Sequence, residues 1–240
     1  MKSTLIVQTL NEIVGLQKIM PQIKNEWFDQ IVILDGNSTD GSIEWCKEHG
    51  YFVFCQKTRG GWDAYKELYQ SGLIQGDFVI TISPDGNCIV EDIPKLISKM
   101  NEGYDMVVAS RYKDEAVSFD DSKLSGLVNR TLTRAINVVC RTKFTDALGI
   151  YRAYRTELAH EFGLDKEPNW YTKQLMKMTT LVSWEICLSM RCGKKHKKIG
   201  EIPSDEPLRF DENRSPRALH KRLGHGFSML GQFAYEVIRR

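Results

Sequence analysis

The stretch DFVITISPDGNCIVEDIP, Asp77 to Pro94, decides the fold. It opens with an apolar, β-branched run and stops at Ser83-Pro84-Asp85-Gly86-Asn87, a cluster of turn formers that carries one carboxylate and one amide. A helical pattern, VEDIPKLISKM, follows directly. An apolar run that hands over to a helical pattern predicts a strand of a parallel sheet with crossover helices.

The same alternation extends outward. Upstream, TLIVQTL reads as a first strand, IVGLQKIM as a short helix ending at Pro21, and QIVILD as a strand closing on Asp35. NSTDGSIEWCKEHG reads as a helix with capping residues at its start and Gly50 at its end. YFVFCQ is a further strand and GWDAYKELYQSG a further helix. Downstream, YDMVVASRY is a strand, and the polar segment from Lys113 to Ser125 predicts a mobile loop crossing the face of an active site. GLVNRTLTRAINVVCR and NWYTKQLMKMTTLVSWEICLSMRCG read as helical, KIGEIP as a short strand, and the basic C-terminal segment as an amphipathic helix. That helix could lie on a membrane surface, pack on its own domain or pair with a second copy in a homodimer.

Bulk properties narrow the function. A chain of 240 residues suits one α/β domain, read here as a nucleotide-binding half (1–112) and an acceptor-binding half (113–240). With 33 Lys and Arg against 31 Asp and Glu, the net charge of +2 argues against gripping nucleic acid along its length. Six cysteines without a Cys-x-x-Cys pair predict reduced thiols rather than zinc or disulfides. The N-terminus reads as a strand, not a signal peptide, and no run has the apolar length of a membrane span. The expectation is a cytoplasmic protein, with peripheral membrane contact as its closest approach to lipid.

Glu12, Asp35 and Asp85 each fall at or just past the end of a predicted strand. In a parallel α/β sheet ligands sit outside those ends, so the three carboxylates predict one crevice. Taken singly each is an ordinary turn residue.

Five segments, in order, resemble family 2 glycosyltransferases of the GT-A fold, and most closely the dolichyl-phosphate mannose synthase-like, polyprenyl-phosphate branch. TLNE (Thr9–Glu12) is similar to the first-strand motif, with Leu10 where an aromatic is usual, and LDGNSTDGS (Leu34–Ser42) resembles the nucleotide loop, with Gly36 in place of its second Asp. GYDMVVASRY, TDALGIYRAYR and EIP resemble three later segments. The resemblance implies a GT-A, mostly parallel sheet flanked by helices. It implies an inverting transferase that moves a sugar from a UDP- or GDP-linked donor to a polyprenyl phosphate or a glycan or small-molecule hydroxyl, in cell-envelope or surface polysaccharide synthesis.

The same resemblance assigns residues. The nucleotide falls to Thr9, Leu10, Glu12, Asp35, Asn37, Ser83 and Asp85. The stretch Ser83–Asp85 stands where the family has Asp-x-Asp, so Mg²⁺ or Mn²⁺ falls to Asp85 with Asn87 as a further oxygen, Ser83 replacing the first carboxylate. Arg111, Arg130, Arg152 and Arg209 fall around the diphosphate and acceptor, where a guanidinium fork suits phosphate oxygens, and Arg214 lies in the same basic segment as Arg209. Asp146 is the base if the acceptor is a hydroxyl; if the acceptor is a lipid phosphate, already an anion, Asp146 positions the acceptor or a basic residue. Catalysis is thus assigned to Asp146, Asp85 and Arg111. Two rivals stand beside this reading. A nucleotidyltransferase would carry a Gly-rich, Lys-containing phosphate loop, which QTLNEIVGL is not; a degenerate nucleotide-sugar-binding protein would explain Ser83 and Gly36.

Overall fold

The protein was analysed as a computed structural model that describes residues 1–166, 183–210 and 219–239, with side chains of the last segment described from Ser228 onward. The predicted helix over 169–182 and the placement of Arg214 lie outside those residues. Seven strands form one sheet among the described residues: β1 (Ser3–Thr9), β2 (Gln30–Asp35), β3 (Phe52–Cys55), β4 (Phe78–Ile82), β5 (Met106–Ser110), β6 (Arg152–Arg155) and β7 (Ile199–Pro203). Their order is β3-β2-β1-β4-β6-β5-β7. The pairs β1·β2, β1·β4, β2·β3 and β5·β7 are parallel, and β6 runs antiparallel between β4 and β5. The α-helices among the described residues are α1 (Ile13–Ile19), α2 (Ser42–Glu48), α3 (Gly61–Gln70), α4 (Ile93–Asn101), α5 (Lys123–Cys140), α6 (Glu157–Glu161), α7 (Trp184–Lys194) and α8 (Leu219–Ile238).

The unbroken apolar runs bury side chains on both faces, as a strand between two helical layers must. On one face Ile6, Leu34, Val79 and Val108 pack with Leu68 of α3 and Ile136 of α5. On the other, Leu5, Val7, Ile33 and Ile80 pack with Leu16 of α1 and Leu96 of α4. The C-terminal helix α8 packs on the domain, the second of its three options. Ser228, Gln232 and Glu236, at helical spacing, are buried, and Glu236 pairs with Arg191 of α7.

From β1 the chain crosses to β2 on one side, while β4 flanks β1 on the other, which makes the outer ends of β1 and β4 a topological switch point. Two loops are closed over that point by one close approach. A Cβ on Gly15, in α1, would lie 2.0 Å from the backbone oxygen of Pro84. Glycine inside a helix is normally less favourable than alanine by roughly 1 kcal/mol, so its presence here answers to this contact. Gly15→Ala is expected to force the Pro84–Asp85 backbone away and destabilise the fold by about 1–3 kcal/mol despite the better helix propensity. Thermal unfolding checks this; an unchanged or raised midpoint would show that the loop gives way freely.

The segment after β5 differs from the expected mobile loop. Ser118 bridges to Glu206 in parallel register, and Val117 and Phe119 exchange backbone hydrogen bonds with Glu206, so the loop is strapped to the chain that leaves β7. Helix α5 then begins at Lys123, where the Ser122 hydroxyl accepts the Ser125 amide.

Candidate active site

At the switch point the loops after β1 and β2 are stitched together. The Asn11 amide donates to Ser38 Oγ at 2.8 Å, the Glu12 amide to Ser42 Oγ at 3.1 Å, and the Thr39 amide to Asn11 Oδ1 at 2.8 Å. Asp40 receives the Ile13 amide at 3.0 Å together with the Ser42 amide and hydroxyl, so it ties the start of α2 to the start of α1. Helix α2 itself starts from Gly41 without a side-chain cap. Burial alone would raise the Asp40 pKa, but these hydrogen bonds outweigh it and hold the carboxyl below its ordinary value.

Asp35, expected against a nucleotide base, is turned into its own loop. It is completely buried, with its two oxygens accepting the Ser38 amide at 2.8 Å and the Ser38 hydroxyl at 2.6 Å. It therefore shapes the loop from beneath. Asn37 adopts a left-handed φ of 68° and donates to the Gln56 carbonyl at 2.9 Å. Thr9 is buried at the end of β1, while Leu10 stands exposed above it. The two departures from the family pattern meet here. A Cβ on Gly36 would lie 3.1 Å from Leu10 Cδ1, so the leucine covers the ground above a position kept bare.

The opening stretch forms the floor of the next subsite. Asp85 is nearly buried; its Oδ1 accepts the Asn87 amide at 3.2 Å and its backbone oxygen the Phe210 amide at 2.9 Å. Asn87 donates through Nδ2 to Asp120 Oδ2 at 3.2 Å, which leaves Asn87 Oδ1 buried with no hydrogen-bond partner. Ser83 is half-buried at the strand end. A buried amide oxygen unpartnered among the described residues, two residues on from the Asp85 carboxylate, suits a hard divalent cation that takes oxygen ligands, and this chemistry fits Mg²⁺ or Mn²⁺. Among the described residues no three His, Cys, Asp or Glu side chains form a metal-holding group. A cation here would therefore complete its shell from donor phosphates and water.

The four arginines occupy different settings. Arg111 is tied to Asp146 by Nε at 2.6 Å and Nη2 at 3.1 Å, and reaches Glu206 at 3.1 Å and Asp121 at 3.8 Å. Burial alone would lower its pKa, but Asp146 and Glu206 outweigh that and hold it above its ordinary value. Arg130, exposed on α5, lies 4.9 Å from the Tyr112 ring centre, and Arg111 lies 5.3 Å from it. Arg209 lies 3.0 Å from Asp120 and 3.7 Å from Asp85. Arg152 corrects the expectation of a phosphate contact: it is 1% exposed, and its guanidinium donates to the carbonyls of Gly149 and Ala147 and to Ser189 Oγ. It fastens the turn before β6 to α7 and has no path to a phosphate. Burial lowers its pKa.

Asp146 is likewise not placed as a base. It is fully buried, and besides Arg111 it accepts the amides of Leu148 at 3.2 Å and Gly149 at 3.1 Å. Burial alone would raise its pKa, yet the charge and hydrogen bonds of Arg111 prevail and lower it. Glu201 of the EIP strand grips the same turn through the Thr145 amide and hydroxyl and the Asp146 amide, while Ser110 Oγ meets Thr145 Oγ1 at 2.5 Å. The three later family segments thus form one network whose product is a fixed Arg111. Burial raises the pKa of both Glu201 and Glu206.

Asp120, Asp121 and Glu206 were not singled out from the sequence. Asp120 joins Asn87 and Arg209, and Asp121 joins Tyr112 and Arg111. The first two are adjacent carboxylates in a polar segment, and Glu206 carries no sequence signal of its own.

Comparison with known proteins places the chain among glycosyltransferases. Glycosyltransferase AglJ of Haloferax volcanii is 29% identical over 153 residues, covering 64% of this chain and 50% of that protein. The undecaprenyl-phosphate 4-deoxy-4-formamido-L-arabinose transferase of Proteus mirabilis is 24% identical over 148 residues, covering 56% of this chain and 44% of that protein. The chain thus spans half the length of the first and less of the second. Glucosyl-3-phosphoglycerate synthase of Mycobacterium tuberculosis, solved with Mn²⁺, UDP and phosphoglyceric acid, has the same fold: TM-score 0.70, 16% identity, 99% of this chain and 78% of that one covered. The family Glycosyl transferase family 2 matches residues 4–163. With that match over two-thirds of its length and the GT-A architecture around it, the chain belongs to glycosyl transferase family 2.

Proposed function

We propose that the protein transfers a sugar from a nucleotide-diphosphate donor to a phosphate-bearing acceptor of the polyprenyl class, with inversion at the anomeric carbon. One observation carries the choice of acceptor. Asp146 is buried, saturated with hydrogen bonds and held below its ordinary pKa, so it is poorly suited to take a proton from a hydroxyl. A phosphate acceptor is already an anion and needs only to be held. Arg111 and Arg130, both close to the Tyr112 ring, offer charge for that task. Exposed apolar side chains line the neighbouring loop and helix: Phe119, Leu124, Leu127 and Val128, with Leu208 beyond Glu206. Such a rim suits an isoprenoid and peripheral contact with a membrane. No helix of the described residues is long and apolar enough to cross one. The undecaprenyl-phosphate transferases among the relatives support the same class.

In this reading Thr9, Glu12 and the Asn37 loop border the nucleotide, and Asp85 and Asn87 hold Mg²⁺ or Mn²⁺ at the diphosphate. The bound cation offsets the charge that grows on the departing diphosphate. Arg111, fixed by Asp146 and Glu206, and Arg130 orient the acceptor phosphate. The loop strapped to Glu206 excludes water that would otherwise intercept the sugar.

Transfer assays with UDP- and GDP-sugars against undecaprenyl phosphate in detergent, 3-phosphoglycerate and simple glycans test this. Product is expected with the polyprenyl phosphate and one nucleotide class. Transfer to a hydroxyl acceptor instead would refute the acceptor assignment, and nucleotide binding without turnover of any donor would support the degenerate reading.

A further inference from the structure

We infer that Asp120, from the loop after β5, is the positioning carboxylate of the cation site, turning the Asn87 oxygen toward the metal, and that Arg209 competes with the metal for Asp85. The inference rests on the proposed donor site and assigns roles within it to two residues of this chain. Ser83 removes one carboxylate from the motif, so Asp85 alone would supply its charge. Asp120 restores a second charge from a different element. An ionised carboxylate only accepts hydrogen bonds, so its contact with Asn87 at 3.2 Å requires the amide NH₂ at that end and leaves Oδ1 on the other. That Oδ1 is buried and without a hydrogen-bond partner among the described residues, on a residue whose backbone N–H donates to Asp85 Oδ1. A carboxylate that orients a ligating group from behind is a recurrent device of metal sites.

Arg209 is placed by the same carboxylates. Its Nε lies 3.0 Å from Asp120 Oδ2 and 3.7 Å from Asp85 Oδ2, so one nitrogen reaches both. Its backbone neighbour is fixed, since the Phe210 amide donates to the Asp85 carbonyl and the Phe210 ring lies against Gly86. A divalent cation arriving at Asp85 meets this guanidinium and must displace it. A donor diphosphate offers the displaced arginine a new anion, so metal and nucleotide would bind with positive coupling.

The test is Mn²⁺ affinity, read as free Mn²⁺ by electron paramagnetic resonance, with and without UDP. Asp120→Ala is expected to weaken Mn²⁺ binding by about ten-fold or more, the usual size of an outer-shell effect, and Asp120→Glu to recover most of it. Arg209→Ala is expected to tighten nucleotide-free Mn²⁺ binding and to reduce the gain that UDP brings. Asp120 and Arg209 are partly exposed, so the variants are expected to fold; Asp120→Asn, which keeps the size and removes the charge, serves if Asp120→Ala lowers the unfolding midpoint. Mn²⁺ affinity unchanged in Asp120→Ala, or weakened without nucleotide in Arg209→Ala, would overturn the inference. UDP binding by the wild type with no Mn²⁺ bound would overturn it and leave the nucleotide site standing, whereas binding of neither would remove both.

Discussion

Arg111→Ala is expected to destabilise the protein by about 3–5 kcal/mol, because it strands a buried carboxylate without its partner. Asp146 is 0% exposed, and Arg111 supplies two of its hydrogen bonds as well as the neutralising charge. Removing both residues together should cost less than removing the arginine alone, since an apolar pair leaves no uncompensated charge. The pH dependence has a definite sign. The Asp146 pKa is lowered in the fold, so its contribution is fully present above the ordinary aspartate value of 3.8 and is lost as pH falls through the depressed value. The stability difference between wild type and Asp146→Asn should therefore be large at neutral pH and shrink in acid. Glu206 has the opposite sign: its raised pKa contributes stability below the ordinary 4.5 that is lost as pH rises through the raised value. Denaturant unfolding between pH 3 and 8 would check both; a pH-independent difference for Asp146→Asn would mean that the carboxylate is not ionised against Arg111.

The second large effect is on turnover. Asp85→Asn is expected to lower the transfer rate by on the order of 10²-fold or more, the scale on which a preorganised charge partner at a departing group acts. The substitution keeps the shape of a side chain that accepts the Asn87 amide, so the unfolding midpoint should move little. Initial rates at saturating Mn²⁺, beside thermal unfolding, separate the two effects. Full activity in this variant would remove Asp85 from the site.

Much of this was legible in the sequence. The runs that became β1, β2, β4 and β5 are apolar on both faces, and the turn formers after them locate the crevice, because strand, turn and helix are local properties. The antiparallel insertion of β6 was not legible, since its partners β4 and β5 are chosen by tertiary packing. Arg152 was misplaced for a related reason: arginine is ordinarily exposed, and only the carbonyls of Gly149 and Ala147 brought together by the fold make its burial tolerable. Asp35 sits at its predicted strand end but is consumed by Ser38, three residues on, a short-range competition that the motif conceals. Asp120 and Glu206 are far apart in sequence and acquire meaning only where the loop after β5 pairs with the chain after β7.

The central claim is that the crevice at the outer ends of β1, β2 and β4 binds a nucleotide diphosphate together with a divalent cation. Calorimetric titration of UDP and GDP into the wild-type protein, once with Mn²⁺ and once with chelator, addresses it most directly. One of the two nucleotides is expected to bind with Mn²⁺, and chelation to weaken or abolish the binding. No heat from either nucleotide in either condition, or equal affinity with chelator, would contradict it.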